Sequence, residues 1–210
     1  MYPVYKSLGV KEECKDVKVQ FPPQHQECQP GLEYIMMPRP ISNNPYSRGS
    51  GKLQGKVAII TGGDSGIGRA IAYAFAEEGA DITISYLNEE EDACETKAFV
   101  EQMGRRCLLV PGDLKNEEMS KIVVEKTIEC FGKIDILVNN FGTTDAQKDK
   151  NLVDGDTDTF FDTVNTNLKS VYLPCKAVVP YMIENGGGSI INISSIGGSV
   201  PDISRIGYGV

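Results

Sequence analysis

The chain has 210 residues, 40% of them hydrophobic and 24% charged, ordinary values for one globular domain with a real core. Its formal net charge of −8 argues against nucleic acid or an anionic membrane surface as a partner, although backbone amides can still bind phosphate locally. No apolar run approaches the roughly 20 residues needed to cross a bilayer, and Met1-Tyr-Pro-Val-Tyr-Lys lacks a cationic stretch leading into an apolar one, so no membrane span or signal peptide is expected.

Residues 1–51 hold Pro3, Pro22, Pro23, Pro30, Pro38, Pro40 and Pro45, more than half of the 11 prolines, and show no sustained apolar period. Proline fixes φ and removes a donor, so this stretch cannot be a regular helix or a central strand. It reads as an extended N-terminal arm lying along the body, with Tyr34, Ile35, Met36 and Met37 as apolar anchors. From Lys52 the character changes. Val57-Ala-Ile-Ile is a short apolar run of the kind a buried parallel strand shows. Ile67–Glu78 has apolar residues at helical spacing and stops at Gly79. There follow a strand at Ile82–Tyr86, a helix at Glu89–Met103, a strand at Cys107–Val110 and a helix at Glu117–Cys130. A strand at Ile134–Val138, a long helix from Thr157 to about Glu184 and a strand at Ser189–Ile193 complete the series. Such alternation implies an α/β fold, a doubly wound parallel sheet with helices on both faces over residues 52–210.

Six cysteines (Cys14, Cys28, Cys94, Cys107, Cys130, Cys175) lie far apart without a CxxC pair, and His25 is the one histidine. No zinc site is expected; reduced thiols in a cytoplasmic protein are.

The first strand runs into Thr61-Gly62-Gly63-Asp64-Ser65-Gly66-Ile67-Gly68. Glycines allow a tight turn and close approach to a pyrophosphate, and the following helix offers free N–H groups and partial positive charge. The G-x3-G-x-G spacing differs from the usual G-x-G-x-x-G, but its strand–loop–helix placement strengthens the reading.

TGxxxGIG resembles the glycine motif of the short-chain dehydrogenase/reductases, and further landmarks appear in that family's order. Asp113 and Leu114, after the third strand, correspond to the segment whose acid contacts adenine. Asn139-Asn140-Phe141-Gly142 resembles the family's NNAG, with Phe141 in place of alanine. Asn167 matches the helix asparagine that holds a proton-relay water, and Ser195 and Tyr208 match the catalytic serine and tyrosine at the usual separation. Taken singly, each landmark has a plainer explanation, such as a helix cap at Asp113 or a turn at Asn139 and Asn140. The resemblance implies a Rossmann-type oxidoreductase that moves hydride between a nicotinamide and a secondary alcohol or ketone. It also implies a homo-oligomer.

A tyrosine hydroxyl titrates near 10 and needs a neighbouring cation to serve as a base at neutral pH. The family supplies a lysine in YxxxK. This sequence reads Tyr208-Gly209-Val210, and the lysine position lies two residues beyond. The chain is therefore expected to be a truncated form, lacking the last helix and strands, exposing the sheet they cover, and inactive as it stands.

Tyr86 stands at the end of the second strand, where an acid would bind the ribose 2′-OH of NAD. Its absence favours NADP(H) over NAD(H), although no basic residue stands beside Tyr86 and Ser65 precedes Gly66. The front of the chain, with Pro22-Pro23-Gln24-His25-Gln26 and Pro38-Arg39-Pro40, resembles the stress-associated subgroup related to glucose and ribitol dehydrogenases. The back half, with Lys150-Asn-Leu, Ser170-Val-Tyr-Leu-Pro and Val200-Pro-Asp-Ile-Ser-Arg-Ile, resembles clostridial 7α-hydroxysteroid dehydrogenases. A hydroxysteroid such as a bile acid is the expected substrate, with a polyol or sugar as the alternative. A nucleotide-binding pseudoenzyme is a further alternative, disfavoured because Asn167, Ser195 and Tyr208 are all present.

Overall fold

The computed structural model describes residues 22–26, 31–145, 147–200 and 204–210. Expectations placed on Cys14, Cys28, Pro30 and the segment Pro201-Asp202-Ile203 lie outside the described residues. Five strands, β1 (Val57–Thr61), β2 (Asp81–Tyr86), β3 (Cys107–Pro111), β4 (Ile136–Asn139) and β5 (Ser189–Asn192), form one parallel sheet in the order β3-β2-β1-β4-β5. Helices α1 (Gly66–Glu77), α2 (Glu90–Gln102), α3 (Glu117–Phe131) and α4 (Thr157–Glu184) connect them, and a short α5 (Ile206–Gly209) follows β5.

Every residue of β1 and β2 is buried; β1 reads as a nearly unbroken apolar run, whereas β2, Asp-Ile-Thr-Ile-Ser-Tyr, alternates although both of its faces are covered. The pleat still sorts their side chains. Ile60, Ile82 and Ile84 pack with Ala72, Tyr73 and Ala76 of α1 and with Val100 of α2. Ile59 and Leu137 point the other way, onto Val123 and Val124 of α3 and Val178 and Met182 of α4. The helices thus cover both faces. The chain crosses from β3 past β1 to β4, and that reversal opens a crevice at the carboxyl ends of β1 and β4.

Local chemistry sets the boundaries. Asn116 caps α3 by accepting from the N–H of Glu118, and Asp156 caps α4 by accepting from the N–H of Thr159 at 2.8 Å. β4 begins at Ile136, two residues later than the periodicity suggests, because Asp135 turns its carboxylate to the N–H of Val57 and to Lys56 and Lys133. All four residues of β5 are exposed, and the strand pairs only with β4 among the described residues.

One expectation for the arm is corrected. Ile35 and Met37 are 49% and 69% exposed and Met36 is exposed too, whereas Glu33, at the start of a 3-10 turn Glu33–Ile35, is 4% exposed. The arm is anchored by a carboxylate, because a buried arginine waits for it on α1.

Candidate active site

Thr61 closes β1, and the next four residues, 62–65, turn back into α1. Gly62 and Gly66 adopt φ of +62° and +52°, which side-chain-bearing residues rarely adopt. Gly68 is required for a different reason: a Cβ there would lie 1.9 Å from the carbonyl oxygen of Gly62 and 2.7 Å from Nδ2 of Asn140. The loop after β4 is laced to this one. Asn140 Nδ2 donates to the carbonyls of Thr61 and Gly62, each at 3.0 Å, and the N–H groups of Asn140 and Phe141 both donate to Thr61 Oγ1 at 3.0 Å.

Beside this cradle opens a cleft of ≈ 560 Å³ at the carboxyl ends of the strands, within the usual size of ligand sites. Gly62, Asp64, Ser65, Gly66 and Ile67 line it from the first loop, Tyr86 from the second, Asp113 and Leu114 from the third, and Asn140 and Gly142 from the fourth. Gly68 and Asn139 stand behind the wall. Asn139 is 2% exposed, and its Nδ2 donates to Asn192 Oδ1 at 2.9 Å and to Cys175 Sγ at 3.2 Å, tying β4 to β5 and α4.

The wall is acidic at the β2 end. Burial pushes the Asp64 carboxyl above its ordinary value, offset in part by its hydrogen bonds with Ser65 and its own backbone, while the nearby carboxylates of Glu89 and Asp92 push it further. Burial, then the Glu90 carboxylate that accepts its proton, holds the Tyr86 hydroxyl well above 10. Glu89 is itself a buried lining residue. Among the described residues no cluster of three or more metal-ligating side chains is present, and no helix is long and apolar enough to cross a membrane.

At the other end Asn167 projects from α4 and grips the loop after β4: its Oδ1 accepts from the N–H of Thr143 at 2.8 Å and its Nδ2 donates to the Thr143 carbonyl at 3.0 Å. Ser195 and Tyr208 flank Gly197, where a Cβ would lie 3.4 Å from Ser195 Oγ and 3.7 Å from the tyrosine ring. Ser195 Oγ accepts from the N–H of Gly197 at 3.1 Å. The backbone of Tyr208 is tied to the loop after β4 by Asp149, 2% exposed, a residue that sequence reasoning overlooked. Its carboxylate accepts the N–H groups of Gly207 and Tyr208, both at 2.9 Å, and the hydroxyl of Thr144 at 3.1 Å. Little in the local sequence marks Asp149, because two of its three partners, Gly207 and Tyr208, lie almost sixty residues on. Glu89 was also missed as a wall residue.

A family profile described as short chain dehydrogenase matches residues 56–210. An uncharacterized oxidoreductase, YhdF, of Bacillus subtilis is 48% identical over 186 residues, covering 89% of this chain and 63% of its own. The 7alpha-hydroxysteroid dehydrogenase of Clostridium sardiniense is 50% identical over 157 residues, covering 75% of this chain and 60% of its own. A crystal structure of NAD+-bound xylitol dehydrogenase superposes with a TM-score of 0.70 at 31% identity, over 75% of this chain and 60% of that one. The chain spans 60–65% of the length of the first curated relatives it matches.

Proposed function

Since the chain belongs to the short-chain dehydrogenase family, we propose that its cleft binds a nicotinamide dinucleotide and that its site exchanges hydride with a secondary alcohol or ketone. The observation that carries this reading is the glycine cradle locked by Asn140 at the mouth of the cleft, with no room for a Cβ at Gly68. The cradle fits a pyrophosphate: backbone amides and the N-terminal end of α1 supply partial positive charge where the formal net charge is negative. Gly62, Ser65 and Ile67 would hold the phosphates around the turn at Gly66, Tyr86, Asp113 and Leu114 the adenosine, and Asn140 and Gly142 the nicotinamide half. When bound, the dinucleotide supplies or accepts the hydride. This chain's own part is proton movement and orientation: Tyr208 exchanges the hydroxyl proton of the alcohol, Ser195 donates a hydrogen bond to its oxygen, and Asn167 fixes the loop that carries Gly142 and Thr143. General acid–base groups of this kind contribute about 10²–10⁴ in rate, so Tyr208→Phe should lower turnover on that scale and leave dinucleotide affinity unchanged.

The 50% identity to a 7alpha-hydroxysteroid dehydrogenase supports a hydroxysteroid substrate. A polyol is the second reading, supported by the likeness to a xylitol dehydrogenase. Oxidation of cholate against ribitol by a form of the protein extended through the family's lysine position, followed by dinucleotide reduction, separates them; no bile-acid turnover by that form would sink the steroid reading. Tyr86 in place of an acid supports NADP(H). The second reading, NAD(H), is favoured by buried Asp64 and Glu89 in the same wall, which would repel a 2′-phosphate, and by Arg69, whose charge is already paired. The ratio of KM values for the two reduced dinucleotides decides it.

Residues 52–210 form the dinucleotide-binding domain in this reading, and 1–51 an arm. A polypeptide limited to these 210 residues has no lysine four positions after Tyr208, so we expect it to bind dinucleotide with little turnover; full turnover would overturn that. A cytoplasmic homo-oligomer is the proposed setting, and light scattering of the purified protein tests the assembly.

A further inference from the structure

Among the described residues of the arm, Glu33 alone is buried, and its two carboxylate oxygens go to different places. Oε1 accepts from Arg69 Nη1 at 2.6 Å, and Oε2 accepts the backbone N–H of Gly66 at 2.5 Å. Arg69, 2% exposed, carries the connection inward: its Nε donates to the carbonyl of Asp64 and to Thr96 Oγ1, both at 2.9 Å, and its Nη2 donates to Asp92 Oδ1 at 3.0 Å. Asp92 closes the ring by accepting the backbone N–H of Glu33 at 2.8 Å. Asp64 and Gly66 both line the cleft, and so does Gly31, two residues before Glu33 on the arm.

We propose that the N-terminal arm is a working part of the dinucleotide site, with Glu33 as a positioning residue that fixes the glycine loop through the Gly66 amide and Arg69. The proposal rests on reading the cleft as a dinucleotide site. A loop with glycine at positions 62, 63 and 66 has more backbone freedom than one with side-chain-bearing residues there, and ordering it is a cost that binding must otherwise meet. Glu33 orders it beforehand from one side, as Asn140 does from the other. The carboxylate does not spoil the site for a pyrophosphate. Its charge is matched by Arg69 within the buried ring and by Arg39, whose Nη2 lies 3.6 Å from Oε1. The arm, which the sequence alone leaves as a strap on the outside, thereby decides the conformation of the loop that meets the ligand.

The test uses the full 210-residue chain and the emission of NADH and NADPH on binding, which is read without tryptophan background because the chain has none. Glu33→Ala is expected to weaken the better-bound dinucleotide by about tenfold or more and to speed amide hydrogen exchange in residues 62–68. Glu33→Gln, which keeps an oxygen for the Gly66 amide, is expected to lie between that variant and the unaltered chain. Asp81→Asn is the control, since it breaks two arginine pairs at the far end of β2 and should lower Tm without changing affinity. A Glu33→Ala chain that loses thermal stability but binds within about twofold of the unaltered chain makes Glu33 merely structural and overturns the proposal. If Glu33→Ala does not fold, unchanged affinity and loop exchange in Glu33→Gln overturn it equally. Failure of the unaltered chain to bind either dinucleotide would instead bring down the reading of the cleft, and this proposal with it.

Discussion

Gly68 and Arg69 are neighbours that fail in different ways when changed. At Gly68 the obstacle is steric: a methyl group would collide with the Gly62 carbonyl, which cannot retreat because Asn140 holds it. Gly68→Ala should therefore open the loop and abolish measurable dinucleotide binding, while the rest of the sheet keeps its circular dichroism. At Arg69 the obstacle is electrostatic. Removing the guanidinium takes the 3.0 Å ion-pair partner from Asp92, 0% exposed, and leaves Glu33, 4% exposed, with Arg39 Nη2 at 3.6 Å. Breaking a buried ion cluster from one side costs about 3–5 kcal/mol, so Arg69→Met should lose that much in urea unfolding. Asp81 offers a pH handle. Burial raises its carboxyl, but the Arg106 N–H and the guanidinium groups of Arg106 and Arg105 outweigh this and hold it below its ordinary value. A depressed carboxyl contributes stability above the unfolded value, about 3.9, that disappears as pH falls through the folded one. The gap in unfolding midpoint between the unaltered chain and Asp81→Asn should thus be constant above about pH 5 and narrow below about pH 4.

At the level of elements, most of the architecture was written in local pattern. The fully buried β1 announced itself as an apolar run and β2 as an alternating Ile-Thr-Ile-Ser-Tyr, and α3 and α4 carried capping residues at Asn116 and Asp156. Helix α4 was legible despite Pro174 and Pro180 inside it, because its apolar positions continue through both to Val178 and Met182. What stayed illegible depended on partners distant in sequence. Glu33 looks like a surface residue until Arg69, 36 positions on, is placed beside it, while Ile35, Met36 and Met37, the obvious anchors, remain exposed. Asp149 is hidden for the same reason. Asn139, expected at the cofactor, is drawn into the joint between β4, β5 and α4 instead of the cleft. Glycine spacing locates a site well; the carboxylates that brace it are found only in three dimensions.

Over the whole molecule, charge and topology act together. A chain of net charge −8 gathers its candidate phosphate contacts at one helix end, so binding there should depend little on bulk electrostatic steering and only weakly on salt. The parallel sheet places the loops that follow its strands on one edge, and those loops are tied to one another and, through Asn167, Arg69 and Thr96, to the helices beside them. One of these ties has a kinetic consequence. Asp149 fastens the backbone of Tyr208 to Thr144, next to the Thr143 that Asn167 grips beside the cleft. On the reading of the cleft proposed above, whatever steadies residues 142–144 from the cleft side also steadies the tyrosine, and the expected order is dinucleotide first on and last off. Product inhibition that is competitive between oxidised and reduced dinucleotide, but not between alcohol and ketone, would display that order, and Asp149→Ala should blur it.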